Sequence, residues 1–248
     1  MKSAATPRFF AAFCLSVSLL VSALWLGWQL LAPVDFAYPL AYRLLDIDRH
    51  VQTYGPQNRY KQDFALTTRR EQQRLFGEIV RAIQHGCDGL RDITYVTSGG
   101  RSYTLLREAE AIHLQDVANL IRVLDYVSWV CLALLVSTLA FMRWRKLPAP
   151  GGKQILMGLG GVLAALGLVL LAFGPTQTFY WLHTKIFPEN HEWFFYYQDS
   201  LMTTLMKAPD LFGFIAALWG LVALAILVTG YRLLQRWLSG ALARKIHS

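Results

Sequence analysis

Residues 9 to 31 read FFAAFCLSVSLLVSALWLGWQLL, 23 consecutive positions without a charged side chain. An α-helix rises about 1.5 Å per residue, so ~20 such positions cross the ~30 Å hydrocarbon core of a bilayer. Residues 126–142, 154–182 and 211–231 also lack any Asp, Glu, Lys or Arg. The run at 126–142 is short, but its helix can begin earlier, within 122–125. The run at 154–182 is longer than a crossing needs, and Gly174-Pro175 is its natural break. With 54% hydrophobic residues and a mean hydropathy of +0.33 over 248 residues, the chain reads as an α-helical integral membrane protein with four transmembrane helices. The opening run exceeds a signal-peptide core of roughly 7–15 residues, and no Ala-x-Ala-like site follows it, so it is expected to be a retained anchor.

Orientation follows from basic residues in the short flanking segments. Lys2 and Arg8 precede the first span; Arg143, Arg145, Lys146 and Lys153 separate the second from the third; Arg232, Arg236, Arg244 and Lys245 follow the fourth. These segments hold ten basic residues and no acidic one. Residues 33–121 hold 11 basic and 11 acidic residues, and 177–210 hold two against four. Both termini are therefore expected in the cytoplasm, and the net charge of +8 reflects topology. No basic patch coincides with a soluble module, so nucleic-acid binding is a poor reading. Cys14 and Cys131 lie within spans and Cys87 stands alone outside, which leaves no outer disulfide and no Cys-x-x-Cys redox pair.

The expected organisation is a cytoplasmic N-terminus with the first span (1–32), a small extracytoplasmic α+β domain (33–121), and spans two to four (122–248). The last part includes an interfacial loop at 176–210 and a cytoplasmic tail. Leu40, Leu44, Ile47 and Val51 have helical spacing ahead of Gly55-Pro56, which predicts one amphipathic helix whose face could lie on the membrane. Thr68 and Glu71 form a capping-box pattern before Leu75, Phe76, Ile79, Val80 and Ile83, and Gly86 is placed to end that helix. Ile93, Tyr95 and Thr97 alternate up to Gly99-Gly100, and the chain beyond predicts a hairpin. From Leu105 a helix runs into the second span, with His113, Val117, Leu120, Leu124 and Val127 on a 4-3-4-3 seam.

Two histidines stand out. His113 has Glu110 three residues before it and Asp116 three after, so either carboxylate can share its helical side. A carboxylate on one ring nitrogen leaves the other free as a base. His183 lies in an aromatic segment with Phe179, Tyr180, Trp181, Phe187 and Trp193, the composition of a headgroup-depth segment. Each also has an ordinary reading, for His113 a solvated histidine beside surface carboxylates and for His183, whose signal is the weaker, an interfacial histidine among aromatic rings.

Glu110-Ala-Ile-His113-Leu-Gln-Asp116-Val117 resembles the Glu-x-x-His-x-x-Asp-Val signature of the bacterial lipoprotein intramolecular transacylases. The run from His183-Thr-Lys-Ile-Phe187 to Trp193-Phe-Phe195 is similar to their second histidine-containing segment. It departs from that pattern by one extra residue between His183 and Trp193 and by Tyr196-Tyr197 after the Trp region. The resemblance implies an acyltransferase of the bacterial inner membrane, with no cofactor and no metal. It would move the sn-2 acyl chain of a diacylglyceryl-Cys lipoprotein to the cysteine α-amine, giving a lyso-form lipoprotein. His113 and His183 would be the catalytic acid/base pair, supported by Glu110, Asp116 and Trp193. Its partners would be the lipoprotein substrate and membrane lipids. His191 lies outside the signature and is expected to matter little.

Two other classes fit parts of the sequence. A non-catalytic membrane factor binding lipid or lipoprotein would use the same aromatic and amphipathic surfaces. A metal enzyme could draw on His113, His183, His191 and Glu110, although their spacing matches no established metal signature. Transport is disfavoured, because no ionisable residue interrupts the spans as a relay would.

Overall fold

The computed structural model describes residues 5–243; Lys2, Arg244 and Lys245 of the charge argument lie outside them. Among the described residues, three helical stretches are long and apolar enough to cross a membrane: Ala12–Leu44, Glu108–Trp144 and Asp210–Leu238. The chain forms two compact units. One is drawn from the chain up to Trp28, from Leu124–Tyr180 and from Gly220 onward; the other from Gln29–Val123 and Trp181–Trp219.

The first unit draws its core from four helices: α1 (Ala5–Leu31), α5 (Glu108–Trp144), α6 (Gly152–Phe173) and α9 (Asp210–Ala243). Leu15, Leu19, Leu135, Leu159, Leu227 and Leu234 carry that core. Leucines on the outer faces, such as Leu171 and Leu221, are exposed, as suits surfaces meeting lipid chains. Asp125 begins the apolar part of α5, and the Trp25 indole N–H donates to its carboxylate at 2.9 Å. Trp25 also packs edge-on against Trp129, with centroids 4.9 Å apart. The expected break is present: α6 ends at Gly174, whose φ of +77° suits glycine, and α7 (Pro175–Ile186) begins at the proline.

In the second unit, the single helix expected across 38–51 is two, α2 (Tyr38–Leu44) and α3 (Ile47–Tyr54). Asp46 is left-handed, with φ +50°, and turns the chain between them. The apolar stripe is split accordingly: Ile47 and Val51 are fully buried, while Leu40 and Leu44 are exposed. α4 (Arg69–Gln84) starts as expected, with the Thr68 hydroxyl accepting from the Glu71 N–H at 3.2 Å. The Glu71 carboxylate pairs with Arg74 and accepts from the Val96 N–H at 3.0 Å, so it braces the hairpin. Gly86, at φ +77°, follows the helix. The hairpin pairs β1 (Thr94–Val96) with β2 (Ser102–Thr104) antiparallel, Tyr95 opposite Tyr103.

α5 emerges unbroken from this hairpin, as its sequence predicts. Its buried line differs from the expected seam. Glu110, Ala111, Leu114 and Ala118 are buried, whereas Leu124 and Val127 are exposed. His113 therefore stands at the edge of the buried stripe, half-buried. A six-residue helix, α8 (Leu201–Met206), is buried along its whole length. The Tyr38 hydroxyl donates to its Leu205 carbonyl at 2.7 Å.

Candidate active site

The first four turns of α5, from Glu108 to Arg122, also carry Glu110 and Asp116, so they precede the apolar run and belong outside the membrane-spanning part. Within the second unit this segment brings His113 to the last turn of α7, which carries His183. Phe187 closes that turn, its N–H donating to the His183 carbonyl at 3.0 Å. Its buried ring lies 5.1 Å from the His113 ring and 5.2 Å from the His183 ring, so one aromatic side chain touches both histidines. Trp193 packs on His183 at 4.7 Å, and Phe195 on His113 at 5.9 Å. His113, His183 and Trp193 thus belong to one cluster of rings.

The His113 Nδ1 is buried with no hydrogen-bond partner among the described residues. Burial first, then the neighbouring His183, lowers its pKa from 6.5 to about 4, against a smaller opposing pull from Asp116. At neutral pH the ring is therefore uncharged and able to accept a proton.

Neither supporting carboxylate hydrogen-bonds His113. Glu110 is fully buried and faces the 200–206 segment. It accepts from the Ser200 hydroxyl at 2.5 Å, the Met202 N–H at 3.2 Å and the Arg107 N–H at 2.6 Å. Burial raises its pKa, and these hydrogen bonds oppose the rise. Asp116 accepts from His191 Nδ1 at 2.6 Å. His191, expected to stand apart, is bonded to the helix that carries His113. Among the described residues, no three His, Cys, Asp or Glu side chains gather closely enough to hold a metal ion.

Several groups escaped the sequence reading. Arg107 lies over the Tyr60 ring at 4.8 Å with its Nε 3.9 Å from Glu110. Lys61 donates to the Thr104 carbonyl and, at 2.9 Å, to that of Leu105; burial lowers its pKa. Nothing in the spacing of 60, 61 and 107 marks them. Ser200 had a signal: it caps α8, accepting from the Thr203 N–H at 2.9 Å. His50 is buried and packs at 4.6 Å against both Tyr54 and Tyr197, and burial lowers its pKa to about 4.

Cys87 is buried with its Sγ 3.6 Å from the Leu114 carbonyl, and burial raises its thiol pKa. Such a thiol is protonated and enclosed, which is poor preparation for nucleophilic attack.

The family model of the lipoprotein intramolecular transacylase Lit matches residues 13–208 of the chain. The fold is similar to solved structures of the membrane integral lipoprotein intramolecular transacylase Lit from Bacillus cereus. A histidine-to-arginine variant of that protein gives a TM-score of 0.65 at 17% identity, over 96% of this chain and 94% of the other. A histidine-to-alanine variant gives 0.62 at 17% identity, over 96% and 95%. No curated protein matches by sequence.

Proposed function

We propose that this chain, which belongs to the lipoprotein intramolecular transacylase Lit family, moves the sn-2 acyl chain of a diacylglyceryl-Cys lipoprotein to the free α-amine of that cysteine. The observation that carries the reading is the pairing of His113 and His183 across Phe187, with His113 held neutral by burial. The amine nitrogen attacks the ester carbonyl while neutral His113 takes its proton. The tetrahedral intermediate then collapses, the C–O bond to glycerol breaks, and protonated His183 donates to the departing alkoxide. An amide and a free glycerol hydroxyl result, and the two protons balance by exchange with solvent. Because amine and ester belong to one molecule, holding them together supplies much of the rate. The enclosed Cys87 thiol supports a route without an acyl-enzyme.

The same reading makes α1, α5, α6 and α9 four spans of the bacterial inner membrane, with both termini cytoplasmic and 33–121 outside. The 22 residues of α6 reach ~33 Å, enough to cross. A reporter in the Gly99-Gly100 turn should report the extracytoplasmic side of the membrane; a cytoplasmic signal would reverse the orientation.

Mass spectrometry of a lipoprotein's N-terminal peptide, with and without the gene, tests the function. An N-acyl, S-monoacylglyceryl form is expected only with the protein. An unchanged acyl pattern with the protein present in the membrane would favour a binding factor.

The pH dependence carries a second test. A base with a pKa near 4 loses its function only as pH falls through about 4, so once the limb set by the substrate's own α-amine, at about 8, is taken into account, the enzyme's acid limb of kcat/KM should lie near that value. A limb near 6.5, the ordinary value, would remove His113 as the base. The lowered pKa also links to stability. The folded state binds fewer protons than the unfolded state here, so stability present above pH 6.5 is lost as pH falls toward 4.

A further inference from the structure

The segment 187–200 holds three rings packed on the two histidines: Phe187, Trp193 and Phe195. Most of it is irregular chain. Two side-chain hydrogen bonds fasten it to α5. Ser200, at its far end, donates to Glu110; His191, near its start, donates through Nδ1 to Asp116 at 2.6 Å. Glu110 and Asp116 lie three residues before and three residues after His113, so the two fastenings bracket that histidine by about one helical turn on each side.

The His191 fastening is built rather than incidental. The Asp116 side chain is only 12% exposed and that of His191 29%, so the bond is shielded from bulk water. The His191 N–H donates to the Pro188 carbonyl at 3.1 Å, a tight turn that sets the imidazole toward the helix. A short bond between an imidazole and a carboxylate is of the charge-assisted kind, stronger and more directional than a neutral one.

We propose that His191 is a positioning residue for acyl transfer: through Asp116 it holds the 187–200 segment so that its rings stay packed on His113 and His183. This rests on the transacylase reading of the site. Side-chain rings set the attitude of the histidines, and a displacement of about 1 Å in such an arrangement costs on the order of 100-fold in rate. The role needs a donor at the Nδ1 position and no change of protonation. Asparagine supplies that donor, since its amide nitrogen occupies nearly the same place on the side chain.

The test uses the full chain, purified in detergent, with a synthetic diacylglyceryl-Cys lipopeptide, O-to-N transfer being read by mass spectrometry. His191→Ala should lower kcat ~10- to 100-fold with KM changed less than about threefold. His191→Asn should recover to within about fivefold of the parent. The double variant His191→Ala/Asp116→Ala should be little worse than the poorer single one, because the two act as a unit. Amide exchange over residues 187–199 reads the fastening without turnover: faster in His191→Ala, restored in His191→Asn. Full activity in His191→Ala, or exchange equal in all three proteins, overturns the proposal. An asparagine variant as slow as the alanine one also overturns it, since the ring would then act in its own right. An inactive parent protein overturns the transacylase reading instead, and the exchange measurement still decides whether His191 holds the segment.

Discussion

His113→Ala and His183→Ala should each lower acyl transfer ~100- to 10,000-fold, the range typical of a lost general acid or base, with expression and membrane insertion near normal. Neither ring contributes insertion energy, because His113 precedes the apolar run of α5 and His183 ends α7 in a polar, aromatic turn. Both rings rest on Phe187, so removing one leaves the other with part of its packing. The two proton transfers belong to one reaction coordinate, and the double variant should be little worse than either single one. Thermal midpoints measured alongside separate lost chemistry from lost folding. Near-full turnover in both single variants would end the assignment of this pair.

Glu110→Ala should cost about 3 kcal/mol or more, for a reason unrelated to proton transfer. The carboxylate is fully buried and serves the Ser200 hydroxyl and the N–H groups of Met202 and Arg107. Its removal strands those donors, and each buried donor left unsatisfied costs about 1–3 kcal/mol. For a chain of this size the thermal midpoint should fall by roughly 6–12 °C. Glu110→Gln keeps one acceptor oxygen and should lose less than half as much. A midpoint unchanged in the alanine variant would mean that Glu110 does not fasten the 200–206 segment. The same test separates this account from the simpler expectation that Glu110 steers the His113 ring, which predicts lost activity without lost stability.

What the sequence discloses and what it withholds divide along physical lines. Absence of charge over 20 or more residues marks a membrane helix, because the bilayer tolerates little else. The breaks at Gly174-Pro175 and Gly86 are legible because backbone conformation is confined there to few residue types. The turn at Asp46 is not, since its neighbours continue a helical stripe and nothing local forbids the longer helix. The site shows the same division. His113, His183 and Trp193 are singled out through a family signature, and their rings lie in one aromatic cluster. The partners of the carboxylates are not found that way. Glu110 and Asp116 lie within one turn of His113 along the helix, yet their hydrogen bonds go to Ser200 and His191, 90 and 75 residues away. Spacing along a helix reports which side chains can meet; it carries no record of the loop that arrives first.

The central claim is that one substrate molecule supplies both the acyl chain and the amine, with two histidines moving the protons. It is tested most directly by a crossover measurement. Two diacylglyceryl-Cys lipopeptides of different peptide mass are mixed with the purified protein, one carrying a deuterated sn-2 chain and the other an unlabelled one. The account predicts that every N-acylated product retains its own label, deuterium appearing on the amine of the first peptide alone. Label scrambled between the two peptides would show acyl groups leaving one substrate for another, through the protein or directly, and would contradict it.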